Sequence, residues 1–178
     1  HTIIVLCLIA LAGVVSETWS SARNGHAESL SVSFRGTPET VTVERAVDGD
    51  TLLLSDGRRV RLIGIDTPEM HDSAKLRRDS ERARQDVRTI QAMGRRSCEF
   101  TRGLVEGKQV HLEYDVERRD KYDRLLAYVY LEDGMFVNGE IIRQGYANLL
   151  TIPPNVRYSD LFKQYYAEAR EQRRGLWK

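Results

Sequence analysis

Val47-Asp48-Gly49-Asp50-Thr51-Leu52-Leu53-Leu54-Ser55-Asp56-Gly57-Arg58-Arg59-Val60-Arg61-Leu62-Ile63-Gly64-Ile65-Asp66-Thr67-Pro68-Glu69 is the stretch that decides the fold. Thr51 to Ser55 is apolar and β-prone. Asp56-Gly57 signals a two-residue hairpin turn, because a type I′ turn needs positive φ at both positions. Arg58 to Ile65 then alternates, with Val60, Leu62 and Gly64 on one side and Arg59, Arg61, Ile63 and Ile65 on the other. Folding the first run back on the second brings Asp50 close to Asp66, with Arg61 nearby and Glu69 just beyond. Clustered acids repel unless a cation sits between them. The arrangement predicts a hard-metal site facing a phosphate.

Working outward, Glu39 to Val47 alternates Val41 and Val43 against Thr40, Thr42 and Glu44, which predicts a strand turned by Asp48-Gly49 into the hairpin. Ser80 is placed to cap a helix carrying Ala83, Val87 and Ile90, with an interruption at Gly94. A second helical piece carries Phe100 and Leu104 and ends at Gly107. Gln109 to Tyr114 and Leu125 to Leu131 read as strands on either side of a charged loop. Asp133-Gly134 turns the second of these into Met135–Val137. Asn138 is placed to cap a helix that stops at Gly145. Leu149 to Asn155 reads as a loop. Ser159 caps a last helix with Leu161, Phe162, Tyr165, Tyr166 and Ala169 on its apolar face, ended by Gly175. The predicted class is α+β, mostly β: a five-stranded OB-type barrel with three or four packed helices.

Ahead of this domain, assigned to residues 39–178, Thr2 to Val15 is almost wholly apolar. It is short for a membrane span, which needs about 20 residues, and of suitable length for a signal-peptide core. Residues 1–22 are read as a signal peptide or a membrane anchor, and residues 23–38 as a linker. Either reading places the domain outside the cytoplasm, secreted or periplasmic, or anchored with membrane contact through residues 2–15.

Basic and acidic residues nearly balance, 27 against 26, so net charge announces no nucleic-acid binder. Lys75, Arg77, Arg78, Arg82, Arg84, Arg88, Arg95 and Arg96 nevertheless crowd one region. They would track phosphates or form a solvated helix face with internal ion pairs. Cys7 and Cys98 form no zinc motif and settle no redox compartment.

Further stretches join the first. They are Asp120-Lys121-Tyr122-Asp123-Arg124-Leu125-Leu126-Ala127-Tyr128-Val129-Tyr130, then Val137-Asn138 through Arg143-Gln144-Gly145-Tyr146-Ala147, and Gly175-Leu176-Trp177. With Val47–Thr51 and Arg61–Glu69, in this order, the chain resembles the staphylococcal nuclease (thermonuclease) family over roughly Thr40 to Trp177. The resemblance implies an OB-fold barrel and a calcium-dependent endonuclease acting on DNA and RNA, single strands favoured, with low sequence specificity. It implies that Asp50 and Asp66 are metal carboxylates and that the Thr67 carbonyl completes the protein ligands. By the same resemblance Glu69 activates or orients the attacking water, and Arg61 and Arg124 clamp phosphate. Lys121 and Tyr122 match positions that contact a terminal phosphate. No obligate protein partner is implied.

The chemistry of the residues agrees. A phosphodiester gains negative charge in the transition state, which a dication and two guanidiniums would neutralise. Arginine's planar fork meets two phosphate oxygens at once. Carboxylate and carbonyl ligands suit Ca2+, with Mg2+ the alternative. Glu69 stands three residues past Asp66, behind Pro68, within reach of the reacting water.

Plainer readings stand beside these. Asp50 would be a turn acid, Arg61 and Asp66 a structural ion pair, and Arg124 a loop bridge to Glu117 or Asp120. Asp123 occupies a position the family usually gives to glycine, where its charge would pair with Arg124. Leu149 to Pro154 lacks the tyrosines of the family prototype, for which Tyr158 is the nearest substitute. The segment between Glu69 and Gly94 is longer than in the prototype and would form an extra basic helix over the groove or a decorated loop. The rival functions are a non-catalytic OB-type nucleic-acid-binding module and an anchored structural subunit of a membrane assembly.

Overall fold

The computed structural model describes residues 39–178. The readings made on residues 1–38 lie outside the described residues. Among the described residues no helix is long and apolar enough to cross a membrane.

Five strands close a barrel in the order β1-β2-β3-β6-β5. They are β1 (Glu39–Asp48), β2 (Thr51–Leu54), β3 (Arg59–Leu62), β5 (Gln109–Glu113) and β6 (Leu125–Leu131). β1 is long because it serves two partners. Its first half pairs with β5 and its second with β2, across register shifts near Val43/Arg45 and Ala46/Asp48. The barrel closes by parallel pairing of β3 with β6. Inward side chains such as Val43, Leu52, Val60, Val110, Ala127 and Val129 are fully buried. Alternation of this kind is what a half-buried strand requires. The expected OB-type barrel is therefore present, with helices α1 (Ala74–Ala83), α2 (Val87–Val105), α3 (Val137–Arg143) and α4 (Ser159–Glu171).

The predicted strand Arg58 to Ile65 does not run as one piece. β3 ends at Leu62, and Gly64 takes φ +86°. A Cβ there would overlap the Phe162 ring, so only glycine fits. The chain leaves the barrel as β4 (Gly64–Asp66) and pairs with β7 (Asn148–Leu150), part of the predicted loop. The break also explains why Ile63 and Ile65 are buried although they sit out of phase with Val60 and Leu62.

The helical region between Glu69 and Gly107 is arranged differently from the expectation. Ser73, not Ser80, caps α1, accepting from the Leu76 N–H. Ser80 lies inside α1 and donates to the Gln85 carbonyl at 2.6 Å. Asp86 then caps α2, which runs through Gly94 without interruption. Met135–Val137 forms no strand. A single bridge joins Tyr130 to Phe136, and α3 starts at Val137. Asn138 is not a cap. Fully buried, it accepts from the Val129 N–H and donates to the carbonyls of Ile63 and Ala127. Ser159 likewise makes no cap; Tyr158 holds that position without a side-chain capping bond.

After α4 the chain returns to the end of α3 in a short 3-10 turn, Gly175–Trp177. The Leu176 N–H donates to the Gly145 carbonyl at 2.9 Å. Arg96 donates to the Gly175 carbonyl, and Arg174 to that of Arg143, both at 3.0 Å.

Candidate active site

Asp50 follows the β1–β2 turn and Asp66 ends β4, so the hairpin and the break at Gly64 together set their separation. One guanidinium nitrogen of Arg61, Nη2, lies 3.3 Å from Asp50 Oδ2 and 3.1 Å from Asp66 Oδ1. The Nη1 of the same group donates to the carbonyls of Leu62 and Ile65, at 3.0 and 2.7 Å. Asp50, only 6 % exposed, also accepts from the Thr67 N–H and hydroxyl on Oδ2 and from the Thr51 hydroxyl on Oδ1. Buried carboxylates persist where such donors face them. The predicted group Asp50, Arg61, Asp66 and Thr67 is thus brought together. The suspected Arg61–Asp66 ion pair is real, and it includes Asp50 as well. Among the described residues no set of three or more His, Cys, Asp or Glu gathers as a metal centre, so the converging donors are these two carboxylates.

The second cluster sits on the loop before β6. Arg124 Nε and Nη2 both lie 2.7 Å from Asp120 Oδ2. Asp120 Oδ1 accepts from the N–H groups of Tyr122 and Arg124. Burial pushes the Asp120 carboxyl up, but the Arg124 bonds and these backbone donors outweigh it and hold it below its ordinary range. Asp123, with φ 64°, does not pair with Arg124. It takes Arg119 instead, at 2.8 Å. The Arg124 guanidinium lies 5.5 Å from the exposed Tyr122 ring, and Lys121 Nζ lies 5.0 Å from it.

These residues line one pocket of about 430 Å³, in which Arg61 and Arg124 share walls with Lys121 and Tyr122. Four predicted site residues therefore face one volume. Leu150 and Ile152 contribute to its apolar lining. Tyr158 does not substitute for the missing tyrosines: it packs edge-on against Tyr128 at 4.6 Å and donates to Glu113. The wall is held by Asn155, whose amide accepts from the Glu117 N–H and donates to the Glu117 carbonyl, at 2.8 and 2.9 Å. Sequence reasoning missed Asn155, because its partner is a backbone distant in sequence.

Asp66 and Thr67 line a second, smaller cavity with Pro68. Glu69 follows on the same loop and lines neither opening. Its backbone is fixed by α2, where Gly94 packs directly on the Pro68 and Glu69 carbonyls. Thr101, further along α2, donates to the Gly49 carbonyl at 2.7 Å, next to Asp50. One helix therefore positions both acid-bearing segments. In the basic region Arg77, Arg78, Arg84, Arg88 and Arg95 are exposed, Arg77 pairs with Asp72, and Arg96 is committed to the Gly175 carbonyl.

Comparison with known proteins agrees with this geometry. Residues 59–178 match the family model described as staphylococcal nuclease homologue. The thermonuclease of Staphylococcus intermedius is 35% identical over 173 residues, covering 96% of this chain and 94% of that protein. The thermonuclease of Staphylococcus hyicus is 29% identical over 175 residues, 97% of this chain and 95% of its own. Endonuclease YncB of Bacillus subtilis is 33% identical over 142 residues, 77% of this chain and 61% of that protein. By barrel, by motif order and by these matches, the chain belongs to the staphylococcal nuclease family.

Proposed function

We propose that this protein is a divalent-cation-dependent nuclease that hydrolyses phosphodiester bonds of DNA and RNA with low sequence specificity. The observation that carries the reading is the Arg61 guanidinium, held between Asp50 and Asp66 on the wall of a pocket that also holds Arg124. The relatives named thermonuclease and endonuclease support it.

The donor chemistry fits a hard dication. Asp50 and Asp66 offer carboxylate oxygens that already converge on one positive group, and the Thr67 carbonyl is the third candidate ligand. Bound there, Ca2+, or Mg2+ as the alternative, would supply positive charge that helps neutralise the phosphate. The chain's own residues do the rest. Arg61 and Arg124 bind the phosphate and meet the charge that develops on it. Glu69 takes the proton of the attacking water. Lys121 and Tyr122 hold a terminal phosphate of the bound nucleotide. Asp120 orients Arg124. Single strands are the favoured substrate, since a base must leave its stack to enter the pocket. The apolar segment 2–15 supports action outside the cytoplasm, after export or on an anchor.

A second reading, a module that binds strands without cutting, draws on one observation: both guanidiniums are engaged by acids of the chain itself. One assay separates the two. Purified protein is incubated with single-stranded DNA and RNA in calcium, in magnesium and in chelator. Cleavage abolished by chelator, and lowered roughly 10²–10⁴-fold in folded Arg61→Ala and Glu69→Gln variants, supports the nuclease. Chelator-insensitive binding with no cleavage supports the module.

A further inference from the structure

Two cavities meet at the Arg61–Asp66 contact. The larger has Arg61 in its wall and the smaller has Asp66, and the two groups touch at 3.1 Å. A phosphate held at that contact would have one opening on each side. A phosphodiester has a nucleoside on each side as well.

The smaller cavity, about 160 Å³, is lined mostly by apolar and uncharged polar side chains. Its floor is Ile90 and Met93, from the first turns of α2. Its polar groups are two side-chain amides, Gln85 and Asn148. Asp66 stands at the edge, and among the described residues no cation lines the cavity, so its lining suits an uncharged group better than a second phosphate. A nucleobase is such a group: its faces pack on apolar side chains, and its edge offers donors and acceptors that an amide answers in either sense.

The amides are open to a ligand, and their backbones are fixed in place. Asn148 faces Asp66 across the β4–β7 ladder, and its one side-chain bond among the described residues is a long 3.4 Å contact from Tyr166. Gln85 stands at the junction of α1 and α2. The Ser80 hydroxyl bonds its carbonyl, its own N–H donates to the Ser80 carbonyl at 3.2 Å, and Asp86 caps the next helix. Among the described residues the Gln85 side-chain amide makes no hydrogen bond.

We propose that this smaller cavity is a second nucleobase subsite, taking the base on the opposite side of the scissile phosphate from the one in the larger pocket. The inference rests on the nuclease reading and adds to it that the protein grips a dinucleotide step. The small volume takes a base and leaves the sugar outside, so the subsite accepts DNA and RNA alike.

The test uses the full protein and dinucleotides with one internal phosphodiester bond, each carrying terminal phosphates. Three substrates are compared: both bases present, the first base replaced by hydrogen, and the second replaced by hydrogen. Gln85→Ala and Met93→Ala are expected to lower kcat/KM about fivefold to tenfold on the intact substrate and on one abasic form. They are expected to leave the other abasic form unchanged. Ile152→Ala, in the larger pocket, should give the mirror pattern. A variant that merely folds poorly loses rate on all three substrates alike, and equal losses everywhere, or none anywhere, overturn the subsite. Absence of cleavage by the unmodified protein on every substrate overturns the nuclease reading, and the subsite with it.

Discussion

A Cβ placed on Gly94 would lie 2.6 Å from the carbonyl oxygen of Pro68, and 2.8 Å from the carbonyl carbon and oxygen of Glu69. These are backbone atoms, which do not swing aside. Alanine is the better helix former by about 0.5–1 kcal/mol, but overpacking of this kind costs about 1–3 kcal/mol. Gly94→Ala is therefore expected to stay folded with its Glu69 loop displaced. kcat should fall on the order of tenfold or more, with KM little changed. In a Glu69→Gln background the same substitution should add almost nothing. Steady-state kinetics of the two single variants and the double variant checks this; independent, multiplying losses would show that Gly94 acts elsewhere.

Asp123 adjoins Arg124 in sequence, yet its side chain pairs with Arg119 and is 84% exposed. Exposed pairs contribute about 0–1 kcal/mol, and its φ of 64° suits glycine. Asp123→Gly should thus leave kcat/KM within about twofold and stability within about 1 kcal/mol. A large rise in activity would mean that Asp123 does restrain Arg124 in solution.

Acid should loosen the phosphate-clamp loop through Asp120. Its carboxyl is held below the ordinary value of 3.8, despite burial, by the Arg124 bonds and by backbone N–H groups. A depressed folded pKa stabilises above the ordinary value and is lost as pH falls through the folded one. Wild type should exceed Asp120→Asn in stability at about pH 6, and the gap should close as the pH falls below 3.8. Urea midpoints across that range measure it, and a gap that widens with acid would reverse the assignment.

From inside α3, Asn138 joins two backbone groups of β6 to the Ile63 carbonyl at the break between β3 and β4. Asn138→Leu fills the space but leaves the Val129 N–H buried without its acceptor. A loss of about 2–4 kcal/mol is expected. Urea unfolding with an unchanged m-value would confirm it. A loss well under 1 kcal/mol would mean that water takes over these bonds.

The barrel was legible because its strands alternate and its turns carry Asp-Gly pairs at Asp56-Gly57 and Asp133-Gly134. The site was legible to the same degree, since folding one hairpin already brings Asp50, Arg61 and Asp66 together. What stayed hidden depends on partners distant in sequence. Alternation continues straight through Gly64, and only the Phe162 ring shows why the strand must break there. Gly94 looks like a helix breaker until the Pro68 carbonyl is seen against it. Ser80 and Asn138 have the chemistry of caps, but their polar groups serve Gln85 and the β3–β6 seam. The smaller cavity draws its walls from three segments that no local pattern connects.

Gly175 lies so close to the backbone of Gln144 and Gly145 that a side chain on it has no room. The end of α3 thereby gains a bond from Leu176, and through Gly175 a tie to Arg96. A chain emerging from the ribosome displays every barrel strand before this fastening exists. Synthesis therefore delivers the strands first and the latch last. A protease that nicked between α4 and Gly175 would leave the barrel intact and set the far end of α3 loose.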